Sequence, residues 1–177
     1  MNLMLDLETY ATTMDACVMT IGAIVFDMTG KEHAHFYRRI DGNSCDRLGL
    51  YRDEKTLDFW RKQDERFRIE LESDDNRVDI KDALTHFTKF WKDNKCEFLW
   101  CNGANFDEPI LSTVYHKLGM EKPWRFFNVR CVRTIYSLAD IKTGDLGPLT
   151  HHALQDCSKQ IRGVILSITL LTARSCV

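Results

Sequence analysis

The chain has 177 residues, 44 % hydrophobic and 28 % charged, which is enough for one globular unit with a real core and short for two. Its net charge of −2 excludes a global basic field, so a polyanionic partner would have to be held by local arginines and bound metal ions. Seven cysteines, odd in number and without a CxxC pair, exclude a disulfide framework or a zinc ribbon. In chain order, Asn2–Leu7 is an apolar run interrupted by Asp6 and short enough for a buried strand. Cys17–Phe26 reads as a second strand, ending at a turn signal in Met28-Thr29-Gly30-Lys31. His33–Ile40 returns as a third, and the three suggest an antiparallel meander. A polar connection runs from Asp41 to about Glu54. Thr56–Gln63 and Glu65–Leu71 read as short helices. Ile80, Ala83, Leu84, Phe87, Phe90 and Trp91 recur at helical spacing, which predicts an amphipathic helix over 79–92. Glu97–Cys101 is a short strand, and Asp107–Leu118 is a helix stopped by Gly119. Arg125–Arg130 is a further strand, followed by a helix near Val132–Ala139. Apolar positions from Leu154 to Leu171 make a last helix, from Thr150 to about Ala173. Five strands with interspersed helices predict one mixed α/β sheet flanked by helices.

Met1 leads directly into a strand-like segment with no basic leader or cleavage site. The longest apolar stretch, Val164–Ala173, is broken by Ser and Thr and is too short to span a bilayer. No membrane association is therefore expected, and a reducing cytoplasm is the expected home.

The acidic residues carry the chemistry. Asp6 and Glu8 are two apart on a strand and so point to one side of the sheet. Asp6 also interrupts an apolar run, where an uncompensated carboxylate is costly. Taken singly, Asp-x-Glu could be a strand end turning to solvent. Asp107 follows a strand and opens a helix, a position that a capping Asp often fills. Asp156, early in the last helix, would also suit the helix dipole, and the adjacent His151 and His152 could be a surface accident. Together, however, the four acids stand in an order and at spacings that suit one metal site. Oxygen ligands favour Mg²⁺ or Mn²⁺. Clustered carboxylates repel by about 4 kcal/mol per close pair at an effective dielectric near 20. Two divalent cations would cancel that charge and clamp the oxygens of an in-line phosphoryl displacement.

Three motifs then resemble those of the DEDDh exonucleases, the RNase H-like superfamily that contains oligoribonuclease, RNase T and proofreading subunits. They are Leu5-Asp6-Leu7-Glu8-Thr9, Asn102-Gly103-Ala104-Asn105-Phe106-Asp107, and His151-His152-Ala153-Leu154-Gln155-Asp156. Within the superfamily, Asn102–Asp107, Trp60-x-x-Gln63 and Arg130-x-x-Arg133-Thr134 are similar to a small subgroup holding the adenosine-specific exoribonuclease and phage-type exonuclease A. Where that subgroup usually has an Asp after the first Arg, this chain has Cys131, which bears on the role of Arg133 and not on the metal site. The resemblance implies a single DEDDh exonuclease domain over 1–177, with an RNase H-like sheet. It implies 3′→5′ hydrolysis of single-stranded RNA or DNA with a free 3′ end, with two Mg²⁺ or Mn²⁺ ions per site, and it admits a homodimer. Asp6 would bridge both ions, Glu8 and Asp156 would complete one shell, and Asp107 would hold the other ion, partly through water. His151 would act as general base, a task that suits imidazole near neutrality. His152 lies four before Asp156 on one helix face, whereas His151 would lie about 140° away, approaching from outside the metal shell if the helix begins near Thr150. The expected substrate contacts are Leu7, Thr9, Trp60, Gln63, Asn105, Phe106, Arg130 and Arg133, with Trp60, Phe106 and Phe59 as stacking candidates against a core-packing alternative. The competing reading is a catalytically silent nucleic-acid-binding module on the same fold.

Overall fold

The structure is a computed structural model that describes residues 1–63, 73–147 and 150–174. Its centre is β1, Asn2–Thr9, in which Leu3, Met4 and Leu5 are wholly buried. The Val- and Ile-rich β2, Val18–Phe26, is buried along its whole length and pairs antiparallel with β1. β3, Glu32–Ile40, extends the meander antiparallel to β2. A polar linker was expected to follow. It contains a short helix, α1, Gly42–Arg47, whose N-cap Asp41 accepts from the Asn43 backbone N–H at 3.0 Å. The next helix, α2, spans Glu54–Arg61 after the N-cap residue Asp53 and so starts two residues before Thr56. The helix expected over Glu65–Leu71 lies outside the described residues.

Among the described residues six strands form the sheet, where the sequence predicts five. The additional strand, β4, is Arg77–Val78, paired parallel with Arg39 and Ile40. Two residues are too few to leave a period-2 signature. α3, Ile80–Asp93, is capped by Asp79 and buries Ile80, Ala83, Leu84, Phe87 and Trp91 at helical spacing. β5, Phe98–Cys101, pairs parallel with β1 and leads into α4, Asp107–Lys117. The strand expected at Arg125–Arg130 forms only as β6, Val129–Cys131. Its register partners are Leu99–Cys101 at the end of the short β5, and Phe126–Asn128 instead make a 3₁₀ turn. α5, Val132–Ala139, follows, then α6, Ala153–Arg174. The sheet order is β4-β3-β2-β1-β5-β6. Among the described residues, no helix is long and apolar enough to cross a membrane.

Strand alternation divides the core in two. Leu3, Leu5, Leu7, Ile21, Ala23 and Val25 face α3 and α4. Met4, Ile24 and Phe26 face α5 and α6, against Val132, Tyr136, Cys157, Ile161 and Val164. Asp6 and Glu8 share the parity of Met4, so they face α6. The carboxyl ends of the parallel strands β1, β5 and β6 lie together, the crevice where α/β sheets place their ligands.

Gly22, opposite Asp6 in the β1–β2 register, lets α6 approach the sheet. A Cβ there would stand 2.5 Å from Ala153 Cβ and 2.9 Å from Leu154 N. Gly22→Ala is therefore expected to lower stability by about 1–3 kcal/mol through overpacking, at about 2–4 °C of melting temperature per kcal/mol. An unchanged melting temperature would show that α6 does not need this approach.

Candidate active site

Four acids converge at the carboxyl ends of β1 and β5. One ligand oxygen from each of Asp6, Glu8 and Asp156 lies within 4.8 Å of the others. Asp107 lines the same cavity, of about 120 Å³, together with Asn102, Phe106, Arg133 and His151. Asp6 and Glu8 come from β1, and Asp107, Asp156 and Asp6 are each fixed by a hydrogen bond. Asp107, 3 % exposed, is the first residue of α4, and its Oδ1 accepts from the Leu7 backbone N–H at 3.0 Å. Asp156, also 3 % exposed, accepts at Oδ1 from the Thr150 backbone N–H at 3.0 Å and from its hydroxyl at 3.1 Å. Asp6 accepts at Oδ1 from Gln160 Nε2 at 2.7 Å. Gln160 lies one helical turn beyond Asp156, on the same face of α6.

The electrostatics follow from this crowding. Burial first, then the charges of Asp107 and Glu8, push the Asp6 carboxyl well above its usual range, against the Gln160 hydrogen bond. Burial followed by the charges of Asp156 and Asp107 raises Glu8 from 4.5 to about 8. Burial raises Asp107 to about 7, opposed by the Leu7 N–H, its own N–H and the Arg133 charge. Thus Asp107 perturbs Asp6 more strongly than Asp156 does, while Glu8 feels Asp156 more than Asp107. Asp6, Glu8 and Asp156 are therefore in mutual reach, and Asp107 shares their cavity. All four donors are oxygens, a set that fits Mg²⁺ or Mn²⁺. Asn102 also lines the cavity, and its Oδ1 is buried and without a hydrogen-bond partner among the described residues. That orphaned acceptor suits water carried into the cavity by a hydrated cation.

The two histidines diverge. His151 lines the carboxylate cavity, its ring edge-on to Phe59 at 5.4 Å and to Trp60 at 5.8 Å between centroids. His152 stacks on Tyr37, at 5.0 Å and 13°. The helix begins at Ala153 and not near Thr150, so helical angle does not separate them. His151 has φ +50°, a left-handed backbone that cannot continue into an α-helix, and this reversal turns the two rings apart.

Beside the carboxylates lies an apolar cavity of about 470 Å³, a size that admits a small ligand. Leu7, Glu8, Phe106 and His151 line both cavities, and Thr9, Phe59 and Trp60 line the apolar one alone. Trp60 is 4 % exposed, and its Nε1–H donates to the Thr9 carbonyl at 2.9 Å, tying α2 to the end of β1. Phe59 is 43 % exposed, so it is not the core residue that the alternative reading allowed. Gln63 is not brought to the site. Its amide donates back to the Phe59 carbonyl at 3.2 Å, and it lines neither cavity. Asn105 is exposed and lines neither. Arg130 and Arg133 separate at the β6–α5 junction. Arg133 lines the carboxylate cavity, whereas the Arg130 guanidinium lies 4.6 Å over the Phe98 ring. Gln160, Thr150 and Asn102 are site residues that the sequence reading does not single out. The spacing of Gln160, four after Asp156, is the one signal that could have found it.

No functionally curated protein matches the chain in sequence. Among solved structures it is similar to Exonuclease X in complex with 5′ overhanging duplex DNA, with a TM-score of 0.58 and 15 % sequence identity over 97 % of this chain and 92 % of that one. At that identity the likeness speaks to the fold, an RNase H-like exonuclease fold. The family model of the Rv2179c-like 3′-5′ exoribonuclease domain matches residues 1–167, a span that takes in β1, α4 and the part of α6 that carry the four acids. The chain thus belongs to the Rv2179c-like 3′-5′ exoribonuclease domain family, within the DEDDh exonuclease superfamily, and is a 3′→5′ exonuclease.

Proposed function

We propose that the enzyme removes nucleoside 5′-monophosphates one at a time from the 3′ end of single-stranded RNA, with two divalent cations, Mg²⁺ or Mn²⁺, held by Asp6, Glu8, Asp107 and Asp156. The observation that carries this reading is the approach of the Asp6, Glu8 and Asp156 oxygens to within 4.8 Å of one another, beside Asp107 and His151. Asp6 would serve both cations, Glu8 and Asp156 would help to hold one, and Asp107 would help to hold the other. Bound there, the cations would offset the carboxylate charge and stabilise the attacking and leaving oxygens of an in-line displacement.

The protein's own groups do the rest. His151 takes the proton from the attacking water; its edge-on packing against Phe59 and Trp60 restrains the imidazole. Phe59, Trp60 and Phe106 enclose the terminal base, and the Leu7–Thr9 backbone lines the terminal nucleotide. Because this pocket is a cavity, it favours a chain end over a chain interior. Arg133 contributes positive charge at the rim. One catalytic domain over residues 1–177, working in a reducing cytoplasm, belongs to the same reading. The six described cysteines, all free thiols, agree with it.

With Mn²⁺, a 5′-labelled RNA strand is expected to give a ladder shortening from the 3′ end, more readily than a DNA strand of the same sequence, and EDTA should stop it. Asp6→Asn should abolish the ladder, keep the fold and remove the rise in melting temperature that Mn²⁺ gives the wild type. Undiminished turnover by the purified variant would take Asp6 out of the mechanism.

His151→Ala should reduce kcat by about 10²–10⁴-fold, with His152→Ala affecting stability more than rate. The reverse ranking in a steady-state assay would transfer the proton to His152.

The raised acids also set a pH dependence. Glu8 titrates at about 8 when folded and near 4.5 when free, and Asp107 at about 7 and near 3.8. Between those limits the folded protein holds protons that the unfolded chain has released, so stability falls as pH rises. Thermal melts without metal should show a falling melting temperature from about pH 5 to about pH 8, and Mn²⁺ should flatten the curve. A metal-free melting temperature that climbs over this range would contradict the shared burial of these acids.

A further inference from the structure

Phe126 and Phe127, in the 3₁₀ turn before β6, are 80 % and 55 % exposed. Their rings meet edge to face, with centroids 5.2 Å apart. Water-facing aromatic pairs of this kind mark binding surfaces. The surrounding charge points to the kind of partner. Residues 122–139 hold four cationic side chains and no acidic one, in a chain of net charge −2. Lys122 is already paired with Glu108, at 2.7 Å. Arg47, Arg52, Arg61 and Arg77 each have an acidic partner within 4.0 Å. Among the described residues Arg125, Arg130 and Arg133 form no ion pair within 4.0 Å, although the charge of Arg133 acts on Asp107 in the cavity they share. Arg125 lies 5.8 Å over the Phe127 ring. Arg130 stacks on Phe98 and donates to the Phe127 and Val129 carbonyls, at 2.8 and 3.1 Å, so it fixes the aromatic turn against the strand.

These features form a line with a direction. Arg133 lines the carboxylate cavity and not the apolar one. From there β6, an edge strand of three residues, leads back toward the aromatic pair and itself spans roughly 10 Å at about 3.3 Å per residue. That is the length of about three phosphates on a stacked strand.

We infer that the upstream part of a single-stranded substrate leaves the active site past Arg133 and runs along the outer edge of β6 to a stacking platform made by Phe126 and Phe127, with Arg125 on its phosphates. The inference rests on the single-strand reading proposed above. Arginines not held in ion pairs suit a phosphate backbone, and exposed rings beside them suit its bases. A protein partner docking on the two rings would not call for a row of cations leading out of the carboxylate cavity.

The test is steady-state hydrolysis, with Mn²⁺, of a diribonucleotide and of an oligouridylate about a dozen nucleotides long, using the wild type, Phe126→Ala/Phe127→Ala and Arg125→Ala. The double variant should raise KM for the long substrate by about tenfold, with kcat and all diribonucleotide kinetics kept. Arg125→Ala should flatten the logarithmic salt dependence of long-substrate KM by about 0.7 for one lost phosphate contact. An unchanged long-substrate KM in the double variant, or equal changes for both substrates, would overturn the inference alone. A wild type that cleaves neither strand would overturn the proposed function and this inference together. A wild-type dimer that the double variant turns into monomers would assign the platform to a second copy of the chain and so overturn the inference.

Discussion

Holding Asp6, Glu8, Asp107 and Asp156 in one cavity sets carboxylate against carboxylate, at about 4 kcal/mol per close pair for an effective dielectric near 20. The arrangement persists because three of the four acids are each anchored by something that does not depend on the others, and Glu8 shares the strand of Asp6. Asp107 is bonded to the Leu7 backbone, Asp156 to Thr150 and Asp6 to Gln160. Behind these bonds stand two apolar layers, one on each face of the sheet. The sheet is the rigid member to which the opposing charges are referred, and the ionisation of Asp6, Glu8 and Asp107 is what the protein gives up when no cation is present.

The close approach at Gly22 has the same logic. Ala153 packs where a side chain on Gly22 would be, which seats the start of α6 over the β1–β2 pair and aims Asp156 at Asp6. Further along the helix the contact repeats, because Gly163 lies directly under Tyr136 of α5, whose hydroxyl donates to the Gln160 carbonyl at 3.1 Å. Two glycines, one on the strand and one on the helix, thus set the height of α6 above the site.

What the sequence could reveal was local. The parity of Asp6 and Glu8, the strand-to-helix placement of Asp107 and the late helical Asp156 are each readable within a few residues, and the three motifs lead to the superfamily and its fold. The long elements were legible for the same reason, since α3 and β2 carry their periodicity in their own composition. The rest depended on pairs distant in the chain. Gly22 acquires its role from Ala153, Asp6 finds Gln160, and Asp107 finds Leu7. β4 is too short to have a period, and α6 starts late because of the left-handed backbone at His151 and the bond from Thr150 to Asp156. A one-turn spacing suggested that Trp60 and Gln63 act together, but the glutamine amide turns back on its own helix. Arg130 and Arg133 are three apart in sequence yet part company, because a strand ends and a helix begins between them.

The anchoring of the acids divides the site mechanically. Asp107 moves with β1 and α4, through its bond to Leu7, whereas Asp156 moves with α6 and the turn at Thr150. Asp6 belongs to the first group and is tethered to the second by a single amide. A rocking of α6 would therefore open one half of the carboxylate cluster while the other half kept its shape, so two cations seated there would differ in how firmly they are gripped and in which is released first.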